Sequence, residues 1–286
     1  MTSELLQKIG VIGAGTMGVG VSHAFAQAGF QVTLTDISEA ALDVARKKIA
    51  RNTVTYRMLS PEQPAGAPEI LSRIDFTTDV KALRNADYVV ENATEDWGIK
   101  EEIYREIDGI CPAHCIFGVN TSAISITRVA ALTQRPEQVV GTHFMNPAPL
   151  KRVVEVIRGF HTSEETVKAT RDLFAGAGKD SIVVNDSPGF VTNRVMMLTV
   201  NEAICLLDEG VSTVAEIDRL FQDCFGHTMG PLETCDLIGL DTVLYSLDVL
   251  YDSFNDPKYR PSQLLKKMVN AGQHGQKSGR GFYTYS

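Results

Sequence analysis

The sequence has no apolar run of the roughly 18 residues that a membrane-spanning helix needs. Its longest run of Lys and Arg has only three residues, and its formal net charge is −8. Nucleic acids and anionic membrane surfaces both attract long basic runs, and this acidic chain has none of that length. We therefore expect neither as a partner.

Cysteine is scarce, and its five positions are an odd number. An odd, scattered set in a chain of this size predicts no disulfide framework and favours a reducing compartment. Cys111 and Cys115 flank His114, but no second ligand cluster follows at the spacing of a zinc site, so we expect no metal. The first strand begins at Lys8, which leaves no room for a signal peptide. Together these features predict a cytoplasmic protein.

The chain has 286 residues, of which 44% are hydrophobic, enough for two packed domains. Strand and helix patterns alternate up to Asp186-Ser187-Pro188-Gly189, where the strand pattern stops. This predicts an α/β Rossmann-type, doubly wound parallel sheet over residues 1–188 and an all-helical domain over 189–286. Strands are expected at 8–13, 30–35, 74–77, 88–91, 116–120, 139–144, 153–157 and 183–184. Ser38 is expected to cap a helix, 58–68 to form a proline-rich loop, and 190–209, 213–225, 230–251 and 262–271 to be helical.

A glycine motif lies between the first predicted strand and helix. It is Gly13-Ala14-Gly15-Thr16-Met17-Gly18, the pattern G-x-G-x-x-G in the context that dinucleotide binding requires. The helix start offers free N–H groups to a pyrophosphate. Asp36 ends the second strand about 20 residues on, where a carboxylate would bind a ribose 2′-hydroxyl and repel a 2′-phosphate. We predict NAD as cofactor; the alternative is a tight turn without a ligand.

A series of further motifs follows in order along the chain. They are Asn120-Thr121-Ser122, His143-Phe144-Met145-Asn146-Pro147, Val154-Glu155-Val156-Ile157, residues 185–194, Met229-Gly230-Pro231 and residues 277–283. With the glycine motif, this ordered set resembles the 3-hydroxyacyl-CoA and 3-hydroxybutyryl-CoA dehydrogenases over nearly the whole chain. The resemblance implies hydride transfer between NAD and the 3-carbon of a hydroxyacyl thioester.

The resemblance also implies an acid–base pair formed by His143 and Glu155. His143 would take the proton of the 3-hydroxyl, and Glu155 would orient the ring. Ser122 and Asn193 would hold the substrate oxygens and the His in register. Each has a structural alternative: His143 as a buried histidine, Ser122 as a helix cap, Asn193 as a capping or packing residue inside a helix. Glu155 lies in an apolar run, where a carboxylate is costly unless paired.

Other positions are implied to contact the cofactor. The resemblance places Glu95 and Lys100 near the nicotinamide ribose, and Asn146 and Lys277 near the nicotinamide end. Asn120 belongs to the same predicted cofactor site. These residues are far apart in sequence and would meet at the carboxyl ends of the strands.

Two departures from the family pattern concern the substrate. Asn92, Asp96 and Trp97 stand in a stretch that is usually largely hydrophobic. Ala45 and Asn52 fall where CoA-contacting Ser and Lys are expected, and neither binds a phosphate by charge. We therefore hypothesise an acyl group on an acyl carrier protein, such as a glyceryl group for polyketide extender units. The remaining basic residues of that stretch keep CoA open: Arg46, Lys47, Lys48, Arg51 and Arg57.

Two rival functions remain. A dehydrogenase of a free small hydroxy acid would want a catalytic Lys and an Arg for the carboxylate, whereas the His143–Glu155 pair favours the thioester reaction. A non-catalytic NAD sensor would keep the glycines without needing that pair. The long apolar helices of the second domain predict a homodimer.

Overall fold

The computed structural model describes residues 6–59 and 65–285 and divides the chain into two compact units. The first ends at Asp186, and the second begins at Ser187. Each unit has a hydrophobic core of its own.

The first unit is built on one eight-stranded sheet in the order β3-β2-β1-β4-β5-β6-β7-β8. Every neighbouring pair is parallel except β6 and β7, which are antiparallel. A connection of nine residues, 144–152, is too short for a parallel crossover, so the chain returns as a hairpin. The strands are β1 (Lys8–Ile12), β2 (Gln31–Thr35), β3 (Ile74–Thr77), β4 (Tyr88–Glu91), β5 (Ile116–Val119), β6 (Val139–His143), β7 (Val153–Arg158) and β8 (Asp180–Asn185).

Helices pack on this sheet through apolar faces. Phe25, Phe144 and Phe174 meet edge-on or tilted in the core beneath it, with ring centroids 5.2–6.4 Å apart. The α-helices are α1 (Thr16–Gln27), α2 (Glu39–Leu59), α3 (Ala67–Ser72), α4 (Trp97–Ile110), α5 (Ile126–Ala130) and α6 (Glu164–Gly176), with 3₁₀ turns at Val80–Asn85 and Pro136–Gln138.

The predicted loop over 58–68 is wrong at both ends. Helix α2 runs through Leu59, and α3 begins at Ala67 with Pro68 in its first turn. Proline is tolerated there because its missing N–H would have no partner inside the helix. Residues 60–64 lie outside the described part of the chain. Ser38 does cap α2, since its hydroxyl accepts from the Ala41 N–H at 3.2 Å.

The second unit is helical, as predicted, but residues 230–251 form two helices. Gly239 separates them with a φ of +100°, and a Cβ there would lie 2.2 Å from the Lys277 Cε. The helices are α7 (Thr192–Asp208), α8 (Val214–Phe225), α9 (Pro231–Ile238), α10 (Leu240–Phe254) and α11 (Gln263–Asn270), with 3₁₀ turns at Pro257–Tyr259 and Gln276–Ser278.

A buried carboxylate fastens the C-terminal segment to this unit. Asp236 has no exposed surface and accepts hydrogen bonds from the Phe282 and Tyr283 N–H groups, each at 2.9 Å. It also accepts from the Tyr285 hydroxyl at 2.9 Å. Because three donors satisfy it, the carboxylate can be buried without a cation.

Residues 6–59 and 65–285 contain neither a membrane-spanning helix nor a metal-binding cluster. No helix in these ranges is both long and apolar enough to cross a membrane. Nor do they contain a group of three or more His, Cys, Asp and Glu side chains that could hold a metal ion. His114 lies 3.1 Å from an Asp87 carboxylate oxygen.

Candidate active site

The glycine motif forms the turn from β1 into α1. Gly13 has a φ of +89°, and a Cβ on Gly18 would lie 1.7 Å from the Gly13 carbonyl oxygen. These two glycines are thus required by the turn itself. A Cβ on Gly15 would meet nothing within 4 Å. The fold would therefore accept a side chain at position 15. Glycine there instead leaves room for a ligand to lie against the backbone.

Helix α1 begins directly after Gly15, which provides no side-chain cap. Its first N–H groups are therefore available to an anion, as a pyrophosphate requires. Beside it lies a cleft of about 500 Å³. The cleft is lined by Ile12, Gly13, Gly15, Asp36, Ile37, Asn92, Ala93, Thr94, Ile99 and Ile103.

Asp36 directly follows β2 and lines this cleft. Its carboxylate accepts hydrogen bonds from the Ala14 N–H at 2.7 Å and the Ser38 N–H at 2.9 Å. Two backbone donors thus hold the carboxylate against the glycine turn. A carboxylate can accept more than two hydrogen bonds, so Asp36 can still accept from a ribose hydroxyl.

The hairpin of β6 and β7 brings the predicted acid–base pair together. His143 and Glu155 are register partners, and the His143 Nδ1 lies 3.0 Å from the Glu155 Oε2. Only 7% of His143 and 5% of Glu155 are exposed. The Ser122 Oγ lies 3.0 Å from Nε2, the other ring nitrogen.

The tautomer of the His143 ring follows from these partners. An ionised carboxylate only accepts hydrogen bonds, so Nδ1 carries the ring proton in the neutral state. Nε2 then holds the lone pair and faces a hydroxyl group. The ring is set up to accept a proton at Nε2 while Glu155 compensates the positive charge.

Glu95 holds the segment that carries Ser122. Its carboxylate accepts from the Ser122 N–H at 2.6 Å and the Thr121 hydroxyl at 2.8 Å. The helix-cap alternative for Ser122 is wrong, because the side chain of Ser125 caps α5 by accepting from the Arg128 N–H. Glu95 therefore lies beside Ser122, at the same edge of the sheet as His143.

Lys100 has a different setting from the one expected. It has no exposed surface, and its ammonium donates to both Glu91 carboxylate oxygens at 2.9 and 2.7 Å. Burial raises the pKa of Glu91, whereas the charge of Lys100 acts to lower it. Glu91 also accepts from the N–H of Ala93, a residue that lines the cleft, at 2.6 Å.

Two predicted cofactor residues in the first unit follow strand ends. Asn120 comes directly after β5, and its amide donates to the Asn92 side chain and accepts from the Phe144 N–H. Asn146 is exposed in the β6–β7 connection. Its predicted position near the nicotinamide stays a prediction.

Two predicted site residues belong to the second unit. Asn193 is the second residue of α7, so it lies in the first turn and not in a helix interior as expected. The Lys277 ammonium lies 2.5 Å from an Asp241 carboxylate oxygen. Their roles toward the substrate and nicotinamide stay predictions.

Lys179, which no sequence pattern indicated, fixes the β6–β7 connection. This buried side chain donates to the carbonyls of Ala148, Pro149 and Lys151 at 2.7, 3.2 and 2.9 Å. Burial lowers its pKa to about 8. Three carbonyls around one ammonium hold the connection between His143 and Glu155. The sequence shows only a Lys after a Gly, with no sign of this contact.

This combination of fold and site defines a dinucleotide-dependent dehydrogenase. A glycine turn, an acid after the second strand and a carboxylate-held imidazole all lie at the carboxyl edge of one sheet. Comparison with known proteins assigns the family. A model of the 3-hydroxyacyl-CoA dehydrogenase NAD-binding domain matches residues 8–187, and one of the C-terminal domain of the same family matches residues 189–285.

Individual proteins agree with these domain matches. A probable 3-hydroxybutyryl-CoA dehydrogenase of Bacillus subtilis is 43% identical over 98% of both chains. A 3-hydroxybutyryl-CoA dehydrogenase of Bradyrhizobium diazoefficiens is also 43% identical, over 99% of this chain and 97% of its own. The crystal structure of (S)-3-hydroxybutyryl-CoA dehydrogenase from Ralstonia eutropha has a TM-score of 0.91 at 42% identity, covering 98% of this chain and 99% of that one.

The chain belongs to the 3-hydroxyacyl-CoA dehydrogenase family. The predicted family, the Rossmann-type sheet with a helical C-terminal domain, and NAD as cofactor are confirmed. The enzyme class, an NAD-dependent oxidoreductase, is confirmed with them.

Proposed function

We propose that this enzyme interconverts a short 3-hydroxyacyl-CoA, such as 3-hydroxybutyryl-CoA, and its 3-ketoacyl-CoA with NAD. The observation that carries the proposal is the His143 ring, bonded to Glu155 through Nδ1 and facing Ser122 through Nε2. The names of the similar proteins support an acyl-CoA substrate.

The chain's own groups would handle the proton and the substrate oxygen. NAD, when bound, supplies the hydride acceptor. The substrate 3-hydroxyl would replace the Ser122 hydroxyl as the partner of the His143 Nε2. This nitrogen would then receive the proton of the 3-hydroxyl. Glu155 stabilises the resulting imidazolium, and Ser122 donates to the substrate oxygen in the reverse direction. Asn193 remains a proposed partner of the substrate oxygens.

The residues of the first unit fit NAD. The open space beside Gly15 and the uncapped start of α1 suit a pyrophosphate, and Asp36 suits an adenosine ribose with a free 2′-hydroxyl. Glu95, Asn120 and Asn146, with Lys277 of the second unit, stay proposed for the nicotinamide half. Lys100 is buried against Glu91, so we propose that it supports this half through that carboxylate and not by direct contact.

The names of the similar proteins favour CoA over a carrier protein, and the residues of α2 are compatible with CoA. Ala45 has no exposed surface, so the absence of Ser there says nothing about CoA binding. The basic residues of the same helix are all exposed: Arg46, Lys47, Lys48, Arg51 and Arg57. Clustered Lys and Arg suit the 3′-phosphate and pyrophosphate of CoA. We therefore propose CoA as the acyl carrier.

The test compares carriers for one acyl group. NADH formation is followed with 3-hydroxybutyryl-CoA, with the same acyl group on an acyl carrier protein, and with free 3-hydroxybutyrate. We expect kcat/KM to be highest for the CoA thioester and higher with NAD than with NADP. Faster turnover on the carrier protein would contradict the CoA proposal, and faster turnover of the free acid would contradict a thioester substrate. NADH binding without any turnover would favour a sensor.

We further propose a homodimer formed through the second unit. Several large apolar side chains of its helices are exposed: Val195, Met196, Leu220, Phe225 and Leu237. Exposed apolar side chains of this kind are typical of a surface that a second copy covers. Light scattering coupled to size exclusion would give twice the chain mass; a monomer at all concentrations would contradict it.

A reducing compartment such as the cytoplasm is the proposed location. All five cysteines are free thiols. Three of them are buried: Cys111, Cys115 and Cys235. Tagging the chain in living cells and locating the tag would test this, and a secreted product would contradict it.

A further inference from the structure

Amide side chains join three strand ends at the carboxyl edge of the sheet. Asn92 follows β4, Asn120 follows β5, and Phe144 follows β6 directly after His143. The Asn120 Nδ2 donates to the Asn92 Oδ1 at 2.6 Å, and the Asn120 Oδ1 accepts from the Phe144 N–H at 3.2 Å. The Asn92 Nδ2 donates to the Val90 carbonyl at 2.9 Å. We name Asn92, Asn120 and the Phe144 N–H the amide relay.

The relay can run in one direction only. Each carboxamide has one accepting oxygen and one donating nitrogen. Turning Asn120 over would set its NH₂ against the Phe144 N–H, and turning Asn92 over would set its oxygen against the Val90 carbonyl. The two backbone groups therefore fix both amides. Removing Asn92 would leave the Asn120 NH₂ without its acceptor, and removing Asn120 would leave the Asn92 oxygen without this donor, so each amide would keep only its backbone partner.

The relay connects the glycine turn with the catalytic histidine. The Asn92 N–H donates to the Ile12 carbonyl at 2.8 Å, and a Cβ on Gly13 would lie 2.8 Å from the Asn92 carbonyl oxygen. Asn92 also lines the cleft beside Gly15. At the other end Asn120 accepts from the backbone N–H one residue after His143, which also donates to the Thr142 carbonyl at 3.0 Å.

We propose that Asn92 is a positioning residue for the reaction: through Asn120 it fixes the backbone after His143 and hence the ring that receives the proton. This inference rests on the proposed function of His143. Asn92 itself need not touch the acyl substrate. Because a small displacement of a reacting group lowers the rate steeply, the effect should fall on kcat.

Two substitutions at Asn92 separate positioning from cofactor binding. In Asn92→Ala the acceptor for Asn120 is lost, so we expect kcat to fall about tenfold with the NADH Kd within about twofold of wild type. In Asn92→Asp the acceptor for Asn120 remains, but the donor to the Val90 carbonyl is lost and a negative charge enters the cleft. We expect NADH to bind about tenfold more weakly and kcat, at saturating NAD, to stay within about threefold. Asn85→Ala, the same change on an exposed residue before the amino end of β4, is the control.

A double substitution tests the route. If Asn92 acts through Asn120, Asn92→Ala with Asn120→Ala should have the kcat of Asn120→Ala alone, because coupled residues are not additive. Losses that multiply would overturn the relay. An unchanged kcat in Asn92→Ala, or equal losses of kcat and NADH affinity in both Asn92 variants, would overturn it as well.

A readout without turnover separates this inference from the proposed function. In protein labelled with ¹⁵N-histidine, the His143 ring signals are identified by their loss in His143→Gln. We expect Asn92→Ala and Asn120→Ala to move these signals and Asn85→Ala to leave them in place. Unmoved signals in Asn92→Ala would overturn the relay. Moved signals in an enzyme that does not oxidise acyl-CoA would uphold the relay and reject the proposed function.

Discussion

Replacing Glu155 by Gln removes the charge that faces the His143 ring and keeps the shape of the side chain. The carboxylate lies 3.0 Å from Nδ1 and is almost fully buried. Two unit charges at this distance attract by about 5 kcal/mol at an effective dielectric constant of about 20. The amide still accepts a neutral hydrogen bond worth about 1 kcal/mol, and ring reorganisation reduces the difference further. We expect a net loss of about 3 kcal/mol in the transition state, which is roughly a 10²-fold lower kcat.

The assay is steady-state NADH formation at saturating acyl-CoA and NAD. NADH affinity, measured by fluorescence, should stay within about twofold, because Glu155 belongs to the acid–base pair. The melting temperature should not fall, since a neutral amide costs less to bury than a carboxylate. Glu106→Gln makes the same change on the exposed face of α4 and serves as the control. A kcat of Glu155→Gln equal to that of the control would refute the reasoning.

Three further predictions concern binding and stability. Gly15→Ala should weaken NADH binding about tenfold without lowering the melting temperature. Gly18→Ala should lower the melting temperature, because its Cβ would overlap a backbone oxygen. If both variants changed NADH affinity and melting temperature alike, the distinction between the two glycines would be wrong. Lys100→Met should cost about 3–5 kcal/mol in urea unfolding by leaving the Glu91 carboxylate buried and unpaired, and adding Glu91→Gln should restore most of it; a mild single variant would contradict the pairing. Burial lowers the pKa of His23 to about 4. Below about pH 6.5 the unfolded chain binds a proton at His23 that the folded protein does not bind until about pH 4. The free energy of unfolding should therefore fall by about 3 kcal/mol from pH 6.5 to 4. In His23→Gln the free energy of unfolding should depend less on pH over this range.

Local sequence patterns predicted helices and strands well where a single feature, such as a required turn, determines the structure. The glycine motif needs a turn, and the turn needs the strand before it and the helix after it. Strands such as β3 and β4 have the predicted bounds because turn residues flank short apolar runs. The prolines after position 60 misled the prediction, since Pro68 suits a helix start as well as a loop. Gly239 lies inside an apolar helical pattern, and its positive φ follows from tertiary packing that the pattern does not contain.

Contacts between strands could not be predicted from local patterns. The antiparallel pairing of β6 and β7 places His143 opposite Glu155, yet their separation of twelve residues suits several geometries. The family resemblance implied the pair; only the register shows why it forms. The same holds for Lys100, whose buried partner Glu91 belongs to another element. Apolar periodicity does not specify partners for polar groups.

The central claim is that the His143 ring takes the substrate proton. The most direct test is a single turnover of the His143→Gln variant. Enzyme saturated with NAD is mixed with 3-hydroxybutyryl-CoA, and NADH formation is followed in a stopped-flow instrument. We expect a rate constant about 10³-fold below wild type, with NADH affinity within about twofold, because glutamine cannot accept the proton. A rate constant close to that of wild type would contradict the assignment of His143 as the base.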